Sequence, residues 1–296
     1  MTAPLPWPAP AKLNLFLHVL GTRPDGYHEL QTCFQFIDLC DDITIEVRED
    51  GGIRRVSDIP GVAEEADLCV QAARKLQSAA GCAWGADLRV FKRIPMGGGL
   101  GGGSSDAATC LVALNHLWQL HWSTDDLAAL GQKLGADVPV FVRGRAAFAE
   151  GIGERLTPLY PPLAPLELNY LILQPNINVS TAEVFQDPEL TRNSAPITIH
   201  GLLASGGRND CVGVVRRRYP EVARALDWLS RFGPARLTGT GACVFLALET
   251  KQRGREIAGK VPPGLNVFLA RGLNDSPLLE RLAVGSSCGA GGLADC

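Results

Sequence analysis

The sequence predicts an α+β protein, folded as two lobes or as one large compact body. Three observations carry that expectation. The chain has 296 residues, more than a single core of about 100–200 residues needs. Its opening segments alternate with the two-residue period of strands, and helical periodicity follows them. The Pro-rich run from Pro158 to Pro165 then marks a loop, after which a second succession of strand and helix patterns begins. We place the boundary near 153, giving a first domain at 1–152, a second at 153–284 and a disordered tail at 285–296, where small residues dominate.

Ala11–Val19 alternates, with Leu13, Leu15 and Leu17 on one face and Lys12, Asn14, Phe16 and His18 on the other, so Lys12 and Asn14 project to the same side of a strand. The turn formers Thr22-Arg23-Pro24-Asp25-Gly26 follow, then extended runs at 31–38 and 43–48. Leu68, Ala72, Ala73 and Leu76 give residues 66–80 a helical stripe, and residues 86–94 read as a strand. A glycine-rich stretch leads into a helix starting near Ser104–Asp106, whose apolar stripe is Ala107, Ala108, Leu111, Leu114 and Leu117. Another helix starts after Ser123-Thr124 and stops at Gly135. Asp137 therefore sits just past a helix end, and Pro139 is expected to push Val138 into an extended segment through Val142. In the second half, 168–173 reads as a strand, 214–232 as one helix despite Pro220, 236–240 and 244–248 as segments flanking a turn, and 266–270 as a late strand.

Composition removes several function classes. At 46% hydrophobic and 20% charged residues the chain is globular rather than disordered. A formal net charge of −3 offers no electrostatic footprint for nucleic acid or an anionic membrane. No run approaches the 18 or so apolar residues of a membrane span, and the start lacks the basic and apolar regions of a signal peptide, so a cytoplasmic protein is expected. Nine cysteines occur without C-x-x-C pairs or metal-finger spacing, which points to reduced thiols and no metal site. The sequence carries no signal for an oligomeric state.

The segment Pro95-Met96-Gly97-Gly98-Gly99-Leu100-Gly101-Gly102-Gly103-Ser104-Ser105 places six glycines directly before a helix. Backbone N–H groups and the positive end of the helix dipole meet there, so an anion such as phosphate is the expected occupant. Glycine suits the task because it takes positive φ and lets main-chain nitrogens approach phosphate oxygens. Gly97, Gly99 and Gly102 form a G-x-G-x-x-G, but 123–134 reads as a helix where a dinucleotide fold needs a strand with an acidic residue. G-x-x-x-x-G-K-[ST] is absent, so the cation for the terminal phosphates must come from elsewhere.

Three segments, Pro10-Ala11-Lys12-Leu13-Asn14-Leu15, the loop Pro95–Ala108 and Leu237-Thr238-Gly239-Thr240-Gly241-Ala242-Cys243-Val244-Phe245, resemble the three motifs of the GHMP kinase superfamily in family order. Gly21–His28 and Leu134–Phe141, the latter containing Gly135-Ala136-Asp137-Val138-Pro139, resemble the branch that acts on a cytidine diphosphate conjugate of methylerythritol in non-mevalonate isoprenoid synthesis. The likeness spans about residues 8–283. It implies a two-domain GHMP kinase fold with the active site in a cleft between α+β domains, and ATP-dependent phosphorylation of a hydroxyl of the erythritol part. It further implies Lys12 and Asp137 as the catalytic pair, Tyr27 and Phe185 stacking on the cytosine, the His28 backbone reading its edge, and Asn14 and Thr181 lining the site. The chemistry of the pair fits: an aspartate can accept the hydroxyl proton while an ammonium offsets charge on the transferring phosphoryl group. Mg²⁺ would accompany ATP, with Ser104, Ser105 or Asp106 within approach of it and no dedicated cage visible. Two alternatives remain: another GHMP kinase, acting on homoserine, a mevalonate or a sugar, and a catalytically silent nucleotide-binding regulator. Tyr27, His28 and Phe185 argue against the first, Lys12 with Asp137 against the second.

Overall fold

A computed structural model describes residues 5–288. The first half contains the strands β1 (Trp7–Thr22), β2 (His28–Arg48), β3 (Ile53–Arg55) and β4 (Gly85–Phe91) and the helices α1 (Leu68–Ala80), α2 (Gly102–Leu117), α3 (Thr124–Gln132) and α4 (Val138–Arg143). A hairpin of β5 (Ala147–Gly151) and β6 (Arg155–Pro158) follows, with the expected boundary position Gly153 in its turn. Then come β7 (Asn169–Pro175), α5 (Thr181–Gln186), α6 (Ile199–Ser205), α7 (Val212–Arg218), α8 (Pro220–Ser230), β8 (Arg236–Leu237), β9 (Val244–Leu248), α9 (Lys251–Ala258), β10 (Leu265–Leu273) and α10 (Pro277–Cys288).

β2 is the spine of the sheet. β1 pairs along one of its edges, while β5, β10 and β4 take successive stretches of the other. The β10 contact, Gly272 opposite Ile37 and Leu273 opposite Phe36, joins the first-half strands to β7, β9 and β8. One core packs α1, α2 and α4 against β2 and β4, and a second packs α7 and α8 against β7 and β9. Between them Leu13, Ile37, Leu100, Ile172 and Phe245 form a buried seam, so the glycine-rich stretch and β1 meet where the two halves meet.

Local chemistry explains the element ends. Asp67 caps α1 by accepting from Cys69 N, and Gly81 closes it at φ +59°. Ser123 caps α3 by accepting from Asp126 N. Four expectations need correction. The runs 31–38 and 43–48 belong to one strand, because pairing with β1 continues through the acidic stretch between them. The segment after Asp137 is helical: Pro139 sits in the first turn of α4, where a missing N–H costs nothing and the fixed φ suits a helix. Pro220 likewise opens a new helix, so 214–232 is divided between α7 and α8. α2 begins at Gly102, two residues inside the glycine run. Of the expected tail, residues 285–288 end α10, and 289–296 lie outside the described residues.

Candidate active site

A cavity of about 640 Å³ opens between the halves, lined among others by Lys12, Asn14, Gly97–Gly103, Asp137 and Phe185. β1 supplies Lys12 and Asn14 from one face, as the alternation requires. Lys12 is only 3% exposed, and its ammonium has three acceptors around it. Nζ lies 2.5 Å from Asn14 Oδ1, 3.0 Å from Gly99 O and 3.3 Å from Asp137 Oδ2. Its fourth neighbour is the Phe34 ring, 5.4 Å to the centroid.

Asp137 occupies the N-cap position of α4 yet makes no cap hydrogen bond of its own. Its carboxylate turns to Lys12 and keeps 33% of its side-chain surface exposed. Asn14 is fixed on two sides, donating from Nδ2 to Thr32 Oγ1 at 2.9 Å and from its backbone N to Thr238 Oγ1 at 3.0 Å.

The glycine loop is held by backbone contacts that side chains would prevent. Gly97, Gly99 and Gly101 have φ of +70°, +75° and +74°, a region costly for other residues. A Cβ on Gly99 would stand 2.4 Å from Thr238 O, and one on Gly101 2.8 Å from the Phe141 ring. Gly97 O accepts from Ala242 N at 3.3 Å, Gly98 O from Cys243 N at 3.1 Å, and Leu100 O from Lys12 N at 2.9 Å. The segment 238–243 and β1 thus take up the loop's carbonyls, while the loop itself runs into the N-terminus of α2, where unpaired N–H groups favour an anion.

Two family models match the chain, GHMP kinases N terminal domain over residues 67–145 and GHMP kinases C terminal over 192–263. A 4-diphosphocytidyl-2-C-methyl-D-erythritol kinase of Pseudomonas syringae pv. syringae (strain B728a) is 56% identical over 283 residues, covering 96% of this chain and 99% of the relative. The enzyme of the same name from Pseudomonas aeruginosa (strain UCBPP-PA14) is 56% identical over 282 residues, covering 95% and 99%. The chain belongs to the GHMP kinase family. A crystal structure of 4-(cytidine 5'-diphospho)-2C-methyl-D-erythritol kinase shares 33% identity with this GHMP kinase and a TM-score of 0.76, covering 90% of this chain and 98% of that one. A mevalonate kinase crystal structure, at 18% identity and a TM-score of 0.68, shares the fold.

Of the residues expected at the site, Lys12, Asn14, Asp137, Thr181, Phe185 and the stretch 95–104 line the cavity of this GHMP kinase. Ser105 is fully buried beneath it. Tyr27 is 60% exposed and stands away from the lining, and the ring stacked on Phe185 is that of His28, with centroids 5.3 Å apart and planes at 30°. His28 Nε2 accepts from Arg192 Nε at 3.1 Å, and Thr181 Oγ1 pairs with Thr240 Oγ1 at 2.9 Å.

A charged cluster beside the loop is absent from the sequence expectations except for Asp106. Lys92 Nζ lies 2.5 Å from Asp41 Oδ2 and 2.6 Å from Asp106 Oδ2, and Lys92 and Asp106 line the cavity. Asp41 Oδ1 also accepts from Arg93 N and Ile94 N. Burial pushes the Asp106 carboxyl up to about 7 against the lowering pull of Lys92, and the charge of Asp41 adds to the rise. Asp106 Oδ1 and Ser105 Oγ are buried without a hydrogen-bond partner. Cys33, Cys40, Cys69, Cys82, Cys110, Cys211 and Cys243 are free thiols, and no helix among the described residues is long and apolar enough to cross a membrane.

Proposed function

We propose that this chain is an ATP-dependent 4-diphosphocytidyl-2-C-methyl-D-erythritol kinase, transferring the terminal phosphoryl group of ATP to the hydroxyl at the 2-position of the erythritol part. The observation that carries the proposal is the 3.3 Å pair of Lys12 Nζ and Asp137 Oδ2 inside the cavity that also holds the glycine loop. The loop and the first turn of α2 bind the ATP phosphates through backbone N–H groups. Asp137, reachable from the cavity, orients the acceptor hydroxyl and takes its proton as the new P–O bond forms. Lys12, held by Asn14 and Gly99 O, holds the Asp137 carboxylate in place and offsets charge on the transferring group. Phe185 supplies a stacking face for the cytosine.

Among the described residues no group of three or more His, Cys, Asp or Glu side chains could hold a metal, so Mg²⁺ enters on the ATP phosphates. The unpartnered Asp106 Oδ1 and Ser105 Oγ at the start of α2 are hard oxygen donors of the kind Mg²⁺ takes. With ATP and a water-soluble acceptor as substrates, the reaction belongs in the cytoplasm. The test is ADP release with ATP across a panel of alcohols. Turnover with the cytidine diphosphate conjugate, and none with mevalonate or homoserine, is expected; turnover confined to either of the latter refutes the assignment.

A further inference from the structure

Residues 159–168, α6, β7 and β9 enclose a second cavity of about 390 Å³, within the roughly 300–1,000 Å³ of small-molecule sites. It shares no lining residue with the cavity that holds the glycine loop. Strand alternation explains the separation. Asn14, Thr32 and Phe34 line the first cavity, while Leu15 and Cys33, their neighbours along β1 and β2, line the second on the other side of the strands.

The lining is apolar except at one point. Arg236 on β8 is the single charged residue there. Its Nη1 donates to Leu15 O at 2.9 Å and to Gly206 O at 3.0 Å. Among the described residues nothing accepts from Nε or Nη2 and no carboxylate pairs with the guanidinium, yet neither nitrogen is a buried atom. Gly206 also lines the cavity, and a Cβ there would stand 2.8 Å from Nη2, so the unused end of the guanidinium lies at the cavity wall. Nε–H and Nη2–H share one side of the planar group and point the same way, the spacing that takes two oxygens of a carboxylate or phosphate together. Leu166 and Leu203 mark the mouth, 74% and 49% exposed though both line the cavity. Apolar side chains gathered at the rim of a pocket are surface that a ligand would take out of water.

We propose that this second cavity binds a small amphiphile with an apolar body and an oxyanion head, the body covering Leu166 and Leu203 and the head closing on Nε and Nη2 of Arg236. Charge complementarity selects this occupant over a neutral hydrocarbon, which would strip water from two idle donors and return no acceptor. The site is separate from the one that transfers phosphate, so ATP and the amphiphile bind together.

Calorimetric titration of the whole enzyme with octanoate, octyl phosphate, octanol and acetate, each below any micelle-forming concentration, tests the proposal. At least one of the two anionic amphiphiles should bind about tenfold or more tighter than octanol, from its charge-assisted hydrogen bonds. Whichever of octanoate and octyl phosphate binds tighter tells a carboxylate from a phosphate head. Octanoate should exceed acetate by about a hundredfold, from burial of its tail. Saturating ATP should leave the affinity within about twofold, the two sites being independent. Arg236→Met should weaken the anions by about tenfold to a hundredfold and octanol little. Because Arg236 also holds two carbonyls, Ala247→Phe supplies a variant that keeps it: exposed Ala247 lines the cavity, and a ring there fills the space and should abolish binding. Octanol binding as tightly as both anions, displacement by ATP, or wild-type affinity in either variant overturns the proposal. So does the absence of any binding, as when a second copy of the chain covers the mouth.

Discussion

Gly101→Ala separates the glycine loop's geometry from its flexibility. Gly101 has φ +74°, and a Cβ there would meet Phe141 Cζ at 2.8 Å, Phe141 Cε2 at 3.0 Å and Lys12 Cε at 3.1 Å. The left-handed conformation costs an alanine about 1–2 kcal/mol. Phe141 is among the largest fully buried side chains and cannot swing away, so overpacking adds about 1–2 kcal/mol. The sum, about 2–4 kcal/mol, corresponds to a melting temperature lower by roughly 5–15 °C in a chain of this size. Because Lys12 is the third neighbour, kcat should fall as well. Gly103→Ala is the control: Gly103 lies within α2, its Cβ would meet only Leu68 Cδ1 at 3.3 Å, and alanine gains about 1 kcal/mol of helix propensity there. Thermal melts of both variants, with ATP titrations of the initial rate, decide the matter. If Gly101→Ala melts with wild type, or Gly103→Ala loses as much, the loop is compliant and the steric account of its glycines fails.

Asp137→Asn keeps shape but cannot take a proton, so single-turnover phosphoryl transfer should drop by about 100–10,000-fold while binding titrations for ATP and acceptor stay within a few-fold. Phe185→Ala should weaken the cytidine substrate by about 1–3 kcal/mol and leave ATP affinity nearly untouched, as calorimetry of each ligand would register. Asp41→Asn should cost about 3–5 kcal/mol in chemical denaturation, since fully buried Asp41 accepts from Lys92, Arg93 N and Ile94 N and an amide opposes one of those donors with another.

Part of this site is local, and that part was legible. Two-residue alternation put Lys12 and Asn14 on one face, and their side chains meet at 2.5 Å. Glycines before a helical stripe marked the loop because positive φ and close backbone approach are properties of the residue itself. The run after Asp137 is helical where the residue before a proline favours an extended backbone, because a first-turn proline is favourable and Val140 and Phe141 anchor α4 in the core. The Asp41, Lys92 and Asp106 cluster was invisible for a different reason. Asp41 is followed by Asp42 and Lys92 by Arg93, so each reads as a solvated surface charge. Only the pairing of β2 with β4, Asp42 opposite Phe91, brings them together. Arg192 gives no signal in the sequence, because its side-chain partner His28 lies 164 positions away and its nearer partners are backbone carbonyls.

The catalytic pair is asymmetric in a way that bears on its kinetics. Lys12 is buried and held by two acceptors besides Asp137, namely Asn14 Oδ1 and Gly99 O, so it stays in place if the carboxylate is lost. Asp137 has no cap hydrogen bond and is a third exposed, so Lys12 is the cation that holds it while its other face is open to an incoming hydroxyl. Removing the ammonium, as in Lys12→Met, therefore frees Asp137, strips Gly99 O of a donor and withdraws charge from the phosphoryl path together. Removing only the carboxylate function leaves the loop and the lysine as they are. Lys12→Met should accordingly impair both ATP binding and turnover, Asp137→Asn turnover alone, and the double variant should be little slower than Lys12→Met, since the aspartate's contribution depends on the lysine. Single-turnover rates and ATP affinities for the three variants measure this. Multiplicative losses in the double variant would mean that the two side chains act independently, and the 3.3 Å contact would then be a bystander to the chemistry.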